Sequence, residues 1–217
     1  MMPLPFAGGI EATANATLLF SLAAAVVFVC APDGPPRLSR SAARAGSVGL
    51  LALLAFLQGG PFLLVAALVL SAAGDAFWSR EGERALLGGL AAFFAAHIAY
   101  VVLFLRMGDG AAGFLAEPWR SGLALAMTVL VLATLRFSRW RVSKAWRLPL
   151  AARIMAILAA GLAALTTHAL ALIGGGVLFV VSEALLALAR GRGLARRAAW
   201  IFYYAAQVII VLGFLLA

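Results

Sequence analysis

From about residue 14 onward the chain is a succession of apolar runs separated by short segments rich in Gly, Pro and Arg. The runs fall at about 14–31, 43–58, 61–78, 85–106, 119–136, 149–167, 170–189 and 197–216. A helix needs about 20 residues to cross the hydrocarbon core of a bilayer, with roughly 17–25 tolerated, so the second run is the short one. The break at Gln58-Gly59-Gly60-Pro61 divides 43–78 into two helices joined by a tight hairpin. The runs lack period-2 alternation, and a backbone in lipid must satisfy its own hydrogen bonds, which selects helices. With 65% hydrophobic and 12% charged residues and a mean hydropathy of +1.07, a soluble domain of 217 residues could not hide its apolar surface. The expected fold is all-α: a single polytopic transmembrane helical bundle of eight spans occupying 1–217.

Charge orients the bundle. Arg37, Arg40 and Arg44 stand at the entry to the second span, and Arg80 and Arg84 follow the third. Arg136, Arg139, Arg141, Lys144, Arg147 and Arg153 surround the connection after the fifth, and Arg190, Arg192, Arg196 and Arg197 follow the seventh. Only Arg106 and Arg120, of the 17 Lys and Arg residues, fall on the other side. Cytoplasmic loops carry the Lys/Arg excess, so both termini are expected outside the cytoplasm. The net charge of +9 is therefore read as topology and contact with anionic lipid, not as nucleic-acid binding. The Ala- and Arg-rich composition points to a bacterial inner membrane.

Met1 to Ala31 contains no Lys or Arg, so the first run is expected to be a span and not a signal peptide. Asn15-Ala16-Thr17 matches a glycosylation sequon by chance at the start of that helix. Cys30 is the one cysteine, which excludes an intrachain disulfide and a Cys-based metal cage; it is read as a small packing residue.

Ionisable groups inside spans are costly, so each needs a reason. Four sites stand out: Asp75 in the third span, His97 in the fourth, Glu183 in the seventh, and Tyr203-Tyr204-Ala205-Ala206-Gln207 in the eighth. At about 1.5 Å rise per residue, Asp75, Glu183 and Tyr204 lie roughly 4–8 Å to the cytoplasmic side of their spans' midpoints. His97 and Gln207 fall near the midplane. One broad layer of polar groups on four helices favours a common internal site. Ser71 shares a face with Asp75, Tyr100 with His97, and Gln207 with Tyr204, while Ser182 adjoins Glu183. Phe93 and Phe94 stand one turn before His97, so the site suits an amphiphile better than an ion.

Plainer structural readings stand beside these. Asp75 would cap a helix or pair with Arg80, His97 would donate to a neighbouring carbonyl, and Glu183 would reach toward Arg190. Tyr203 is read as an interface-belt aromatic, and Gln207 as glue between helices. A three-His zinc site is impossible with two histidines, His168 lying at the opposite end; one His with two carboxylates is the only metal set left. A Ser-His-Asp triad through Ser182 or Ser71 lacks a nucleophile-elbow pattern. Gly174-Gly175-Gly176 reads as close helix packing.

The segments SAAGDAFW, GGLAAFFAAHIAYVVLF, GGGVLFVVSEALLAL and YYAAQVIIVLG, in this order and spacing, resemble the YhhN-like lysoplasmalogenase family of eight-span membrane proteins. The resemblance covers the chain from about residue 14. Two departures are visible: Arg44-Ala45 stands where the family often has Lys-Pro, and Glu183 where it often has Asp. The resemblance implies hydrolysis of the vinyl ether bond of lysoplasmalogens, giving a fatty aldehyde and glycerophosphoethanolamine or glycerophosphocholine. It carries the site onto Asp75, His97, Glu183, Tyr204 and Gln207. The catalytic set would be Asp75, Glu183 and His97, with Tyr100, Tyr204, Gln207, Ser182 and Ser71 binding substrate. No metal or cofactor is implied. Cleaving a vinyl ether needs an acid to protonate carbon, an oriented water and negative charge facing the oxocarbenium ion. Two carboxylates in different surroundings can divide those roles. The competing reading is a membrane protein that binds or transports a lipid or small amphiphile, for which an inverted repeat with paired broken helices would be the sign; no convincing half-to-half similarity is present. A third is a scaffold whose buried charges only set helix register.

Overall fold

A computed structural model describes residues 4–9, 11–31, 38–115, 117–189 and 193–216. Arg37, Arg190 and Arg192 lie outside the described residues. Within them all the regular structure is helical: α1 (Thr13–Cys30), α2 (Leu38–Leu57), α3 (Phe62–Trp78), α4 (Glu83–Met107), α5 (Gly110–Leu115), α6 (Pro118–Ser138), α7 (Lys144–Ala164), α8 (Leu170–Leu188) and α9 (Gly193–Leu215). Eight are long. Seven of these are long and apolar enough to cross a membrane, and α3, at 17 residues, is the shorter apolar eighth. The expected eight-span helical bundle is what the chain forms.

Two boundaries differ from those read in the sequence. The second helix is not short: α2 starts at Leu38 and has 20 residues, because Arg44 turns inward to a carboxylate instead of marking the membrane edge. Helix α7 starts at Lys144, with Pro149 inside it. Pro149, the sixth residue of α7, forgoes the bond to the Ala145 carbonyl without ending the helix, so it did not mark the boundary. The α2–α3 hairpin forms where expected, with Gly59 at φ +69, a backbone region glycine enters freely.

Neighbouring helices follow a ring, α1–α2–α3–α4–α7–α8–α9, closed by α9 against α1 and α2. Helix α6 packs from outside against α7 and α8. Leu51, Leu54, Leu64, Leu68, Phe104, Ile154, Leu172 and Ile210 fill the interior. Outward faces carry exposed Phe20, Val26, Phe56, Val69, Leu125 and Val129, the surface that lipid covers. The glycine-rich stretch of α8 serves close packing. A Cβ on Gly175 would meet Ile210 of α9 at 2.4 Å, and one on Gly176 would meet Ala164 of α7 at 2.8 Å.

Eight alternating helices leave the first described helix starting, and the last ending, at the same end of the bundle. The described Arg and Lys residues other than Arg106 and Arg120 gather at the opposite end, called here the basic end.

Candidate functional site

Helix α3 buries Ser71, Gly74 and Asp75 on one face. Asp75 is fully buried, and its Oδ1 accepts from Arg44 Nε of α2 at 2.7 Å. Its Oδ2 has no hydrogen-bond partner. The partner is thus an arginine 31 residues upstream, not Arg80. Gly74 explains how the neighbouring helix comes so close: a Cβ there would lie 2.9 Å from the Phe93 ring of α4.

A second pair lies across the ring. Arg153 of α7 donates from Nη1 to Glu183 Oε1 at 2.8 Å and from Nη2 to Oε2 at 2.7 Å. Two parallel bonds of this kind fix orientation as well as charge. The guanidinium sits over Trp78 and Phe93, 5.4 and 5.3 Å from the ring centroids. Glu183 therefore finds its cation on a neighbouring helix.

His97 Nδ1 donates to the Phe93 carbonyl at 2.6 Å. Because a carbonyl only accepts, this bond sets the tautomer and leaves the Nε2 lone pair for another partner if the ring is neutral. Neither candidate serine bonds His97. Ser182 Oγ donates to the Phe179 carbonyl at 2.7 Å, and Ser71 Oγ accepts from Gln207 Nε2 at 3.1 Å. A Ser-His-Asp triad is not formed.

Gln207 is the hub of a deeper layer. Its Oε1 accepts from Tyr100 OH while its Nε2 holds Ser71, joining α9 to α4 and α3. Tyr204 faces elsewhere. Its hydroxyl bonds Ser21 Oγ at 2.6 Å, Ser21 in turn donates to the Ser47 carbonyl at 2.6 Å, and its ring stacks on Trp200. Tyr204 thus ties α9 to α1 and α2. Its neighbour Tyr203, read from the sequence as a belt residue, points inward. The Tyr203 hydroxyl lies beside Asp75, Ser71 and Gln207 without a hydrogen bond of normal geometry.

These groups border a cavity of about 360 Å³ that opens at the basic end. Its inner wall includes His97, Arg153, Glu183, Ser182, Tyr203 and the rings of Phe93 and Phe179, and its outer wall Arg40, Arg80, Glu81 and Arg196. Arg44 also lines it, whereas Asp75 stands behind Arg44 and Tyr203. Of the residues singled out in the sequence, His97, Glu183 and Ser182 reach the cavity; Asp75, Ser71, Tyr100 and Gln207 support it from one layer back. Among the described residues no group of three His, Cys, Asp or Glu could hold a metal ion. Arg44 and Arg153 read in the sequence as topology and Tyr203 as an interface-belt aromatic; all three border the cavity. Arg153 carried a signal, a charge just inside a span, but was absorbed into the topological tally.

The fold and site define a polytopic helical membrane protein with two arginine–carboxylate pairs, one buried and one part-buried, beside a cavity at one end. A family model described as the YhhN family matches residues 39–214, and the chain belongs to that family. Neither the curated proteins nor the solved structures gave a match. The matched region omits α1, which contributes Phe28 to the cavity and Ser21 to the Tyr204 tie.

Proposed function

We propose that this YhhN-family protein is an intramembrane hydrolase that cleaves the vinyl ether bond of lysoplasmalogens. The observation that carries the reading is one cavity bordered by Glu183, His97 and Tyr203, with the unclaimed Oδ2 of Asp75 directly behind. In the proposed reaction a proton adds to the outer alkene carbon and leaves an oxocarbenium ion. Water then adds to the oxygen-bearing carbon, and the hemiacetal falls apart to a fatty aldehyde and a glycerophospho-alcohol. Glu183, held in place by Arg153, supplies the negative charge facing the cation. Asp75, carrying a proton on its unclaimed Oδ2, supplies it through the Tyr203 hydroxyl and regains one from the water that adds, which His97 Nε2 orients. The arginine-rich end faces the cytoplasm, so the head group enters from that side.

Both carboxylates are already matched by arginines, an arrangement that a lipid-binding protein without hydrolytic activity would share. One experiment separates the two. Purified protein in detergent is incubated with lysoplasmalogen, and fatty aldehyde is followed with a coupled dehydrogenase. Aldehyde release that collapses in Glu183→Gln and Asp75→Asn supports the hydrolase. Saturable binding with no aldehyde from the unaltered protein, or undiminished release from both variants, overturns it.

A further inference from the structure

The carboxylates of this chain are unevenly placed. Seven of the eight stand before residue 118, and the eighth, Glu183, is held by Arg153. Residues 118–182, which include α6, α7 and the connection between them, contain seven basic residues and no Asp or Glu. Some of those cations have partners already. Arg120 donates to carbonyls at the far end, Arg153 meets Glu183, and Arg141 donates to the Ala187 carbonyl at 2.8 Å. Arg136, Arg139 and Arg147 meet no carboxylate among the described residues.

Topology asks only that such charges stand at one end of the bundle; it does not ask for an arrangement. These three have one. Arg136 and Arg139 come from the end of α6 and the residue after it, and Arg147 from the first turn of α7. All three line a groove of about 500 Å³ between the two helices. Leu132, Leu135 and Leu150 supply its apolar wall, and Leu132 is 55% exposed, so that wall runs onto the outward face of α6. The guanidinium groups of Arg136 and Arg139 lie 5.7 and 4.7 Å from the Trp140 centroid. An exposed tryptophan at a helix end sits at the level of lipid head groups, which sets the arginines at the depth of the phosphates. The groove shares no lining residue with the cavity of the candidate site.

Three unmatched arginines beside a leucine wall call for an amphiphile with an anionic head. Guanidinium groups pair with phosphate through parallel N–H bonds, and a free phosphate would leave the leucines bare. We infer that the α6–α7 groove is a binding site for an anionic phospholipid of the surrounding membrane. Its phosphate lies among Arg136, Arg139 and Arg147, and the start of one acyl chain runs along Leu132, Leu135 and Leu150. The lipid fills the wedge where α6, packed from outside on α7 and α8, stands apart from the ring.

The test reads binding without turnover, with lipids that have no vinyl ether, so its result is independent of whether the protein is a hydrolase. Purified protein in a nonionic detergent is titrated with dioleoyl phosphatidylglycerol or dioleoyl phosphatidylcholine, and the first bound lipid is followed by native mass spectrometry. Phosphatidylglycerol is expected to bind about tenfold tighter, with the margin shrinking as salt rises. Arg139→Gln and Arg147→Gln should each weaken it by about fivefold. Arg84→Gln, another exposed arginine of the basic end but outside the groove, should leave it unchanged. Leu132→Ser should weaken it by about threefold with no change of charge. Phosphatidylglycerol should also raise the unfolding temperature, and inorganic phosphate should not. Equal binding of the two lipids, or undiminished binding in both Arg139→Gln and Arg147→Gln, overturns the inference. So does a loss in Arg84→Gln equal to that in Arg147→Gln. Binding indifferent to Leu132→Ser, or a rise in unfolding temperature with inorganic phosphate, overturns it too, since charge alone would then hold the anion.

Discussion

The two ends of the bundle both bury arginine, and to different purposes. At the end away from the basic loops, Arg120 is 3% exposed, and its Nη1 donates to the Leu165 and Thr167 carbonyls at 2.7 Å each. It satisfies carbonyls left over where α7 finishes, and it does not line the cavity of the basic end. At the basic end Arg44 and Arg153 meet carboxylates, and beside them lies open space with unmatched donors. A buried charge alone therefore does not mark a site. Arg120 also keeps a buried Nε without a partner among the described residues and approaches Glu117 at 3.4 Å, so what distinguishes the basic end is the cavity beside the buried charges.

The sharpest way to break this comparison is Glu183→Gln. If the basic end is the reaction site, vinyl ether hydrolysis should fall by roughly 10²–10⁴-fold, with the protein still folded by thermal unfolding in detergent. Next is Arg153→Met, which strands Glu183 and should cost about 3–5 kcal/mol of stability. Adding Glu183→Leu should recover much of that stability while activity stays lost, since two apolar side chains can replace a buried pair. A double variant as unstable as the single would mean Arg153 matters through packing on Trp78 and Phe93. Arg120→Met should lower stability by about 1–3 kcal/mol for the abandoned carbonyls and leave turnover per folded molecule unchanged. Altered turnover there would erase the distinction between the ends.

The smallest effect discriminates most finely. Tyr204→Phe removes the bond to Ser21 and should cost about 1 kcal/mol of stability with little change in activity. Tyr203→Phe removes a hydroxyl that has no bond to lose, and should instead lower activity. The reverse pattern would show that the wrong tyrosine has been placed at the cavity.

Much of the frame was legible in advance. Span number, the hairpin at Gly59 and the packing role of Gly175 and Gly176 all follow from local composition. The polar layer was legible too, because Asp75, His97, Glu183 and Gln207 stand out against apolar surroundings. Their partners were less so. Arg80 was offered for Asp75 because it is near in sequence, whereas Arg44 lies on the adjacent helix and reaches the carboxylate laterally. Arg153 sat among six basic residues counted for topology, although it lies inside the run from 149 whereas Arg147 lies outside it.

Hydrophobic length and charge asymmetry are properties of each segment by itself, so the sequence alone determined an eight-helix bundle with one basic end. Which side chains meet depends on how far each helix is turned about its own axis. Adjacent residues on a helix point about 100° apart, so Tyr203 and Tyr204 must face different neighbours, and no count along the chain says which faces inward. Packing settled it: Trp200, Tyr204 and Ser21 lock one face of α9 against α1 and α2, and that rotation carries Tyr203 to the cavity. The pairing of each arginine with its carboxylate, and the cavity between the pairs, follow from the same rotations and exist only in the assembled bundle.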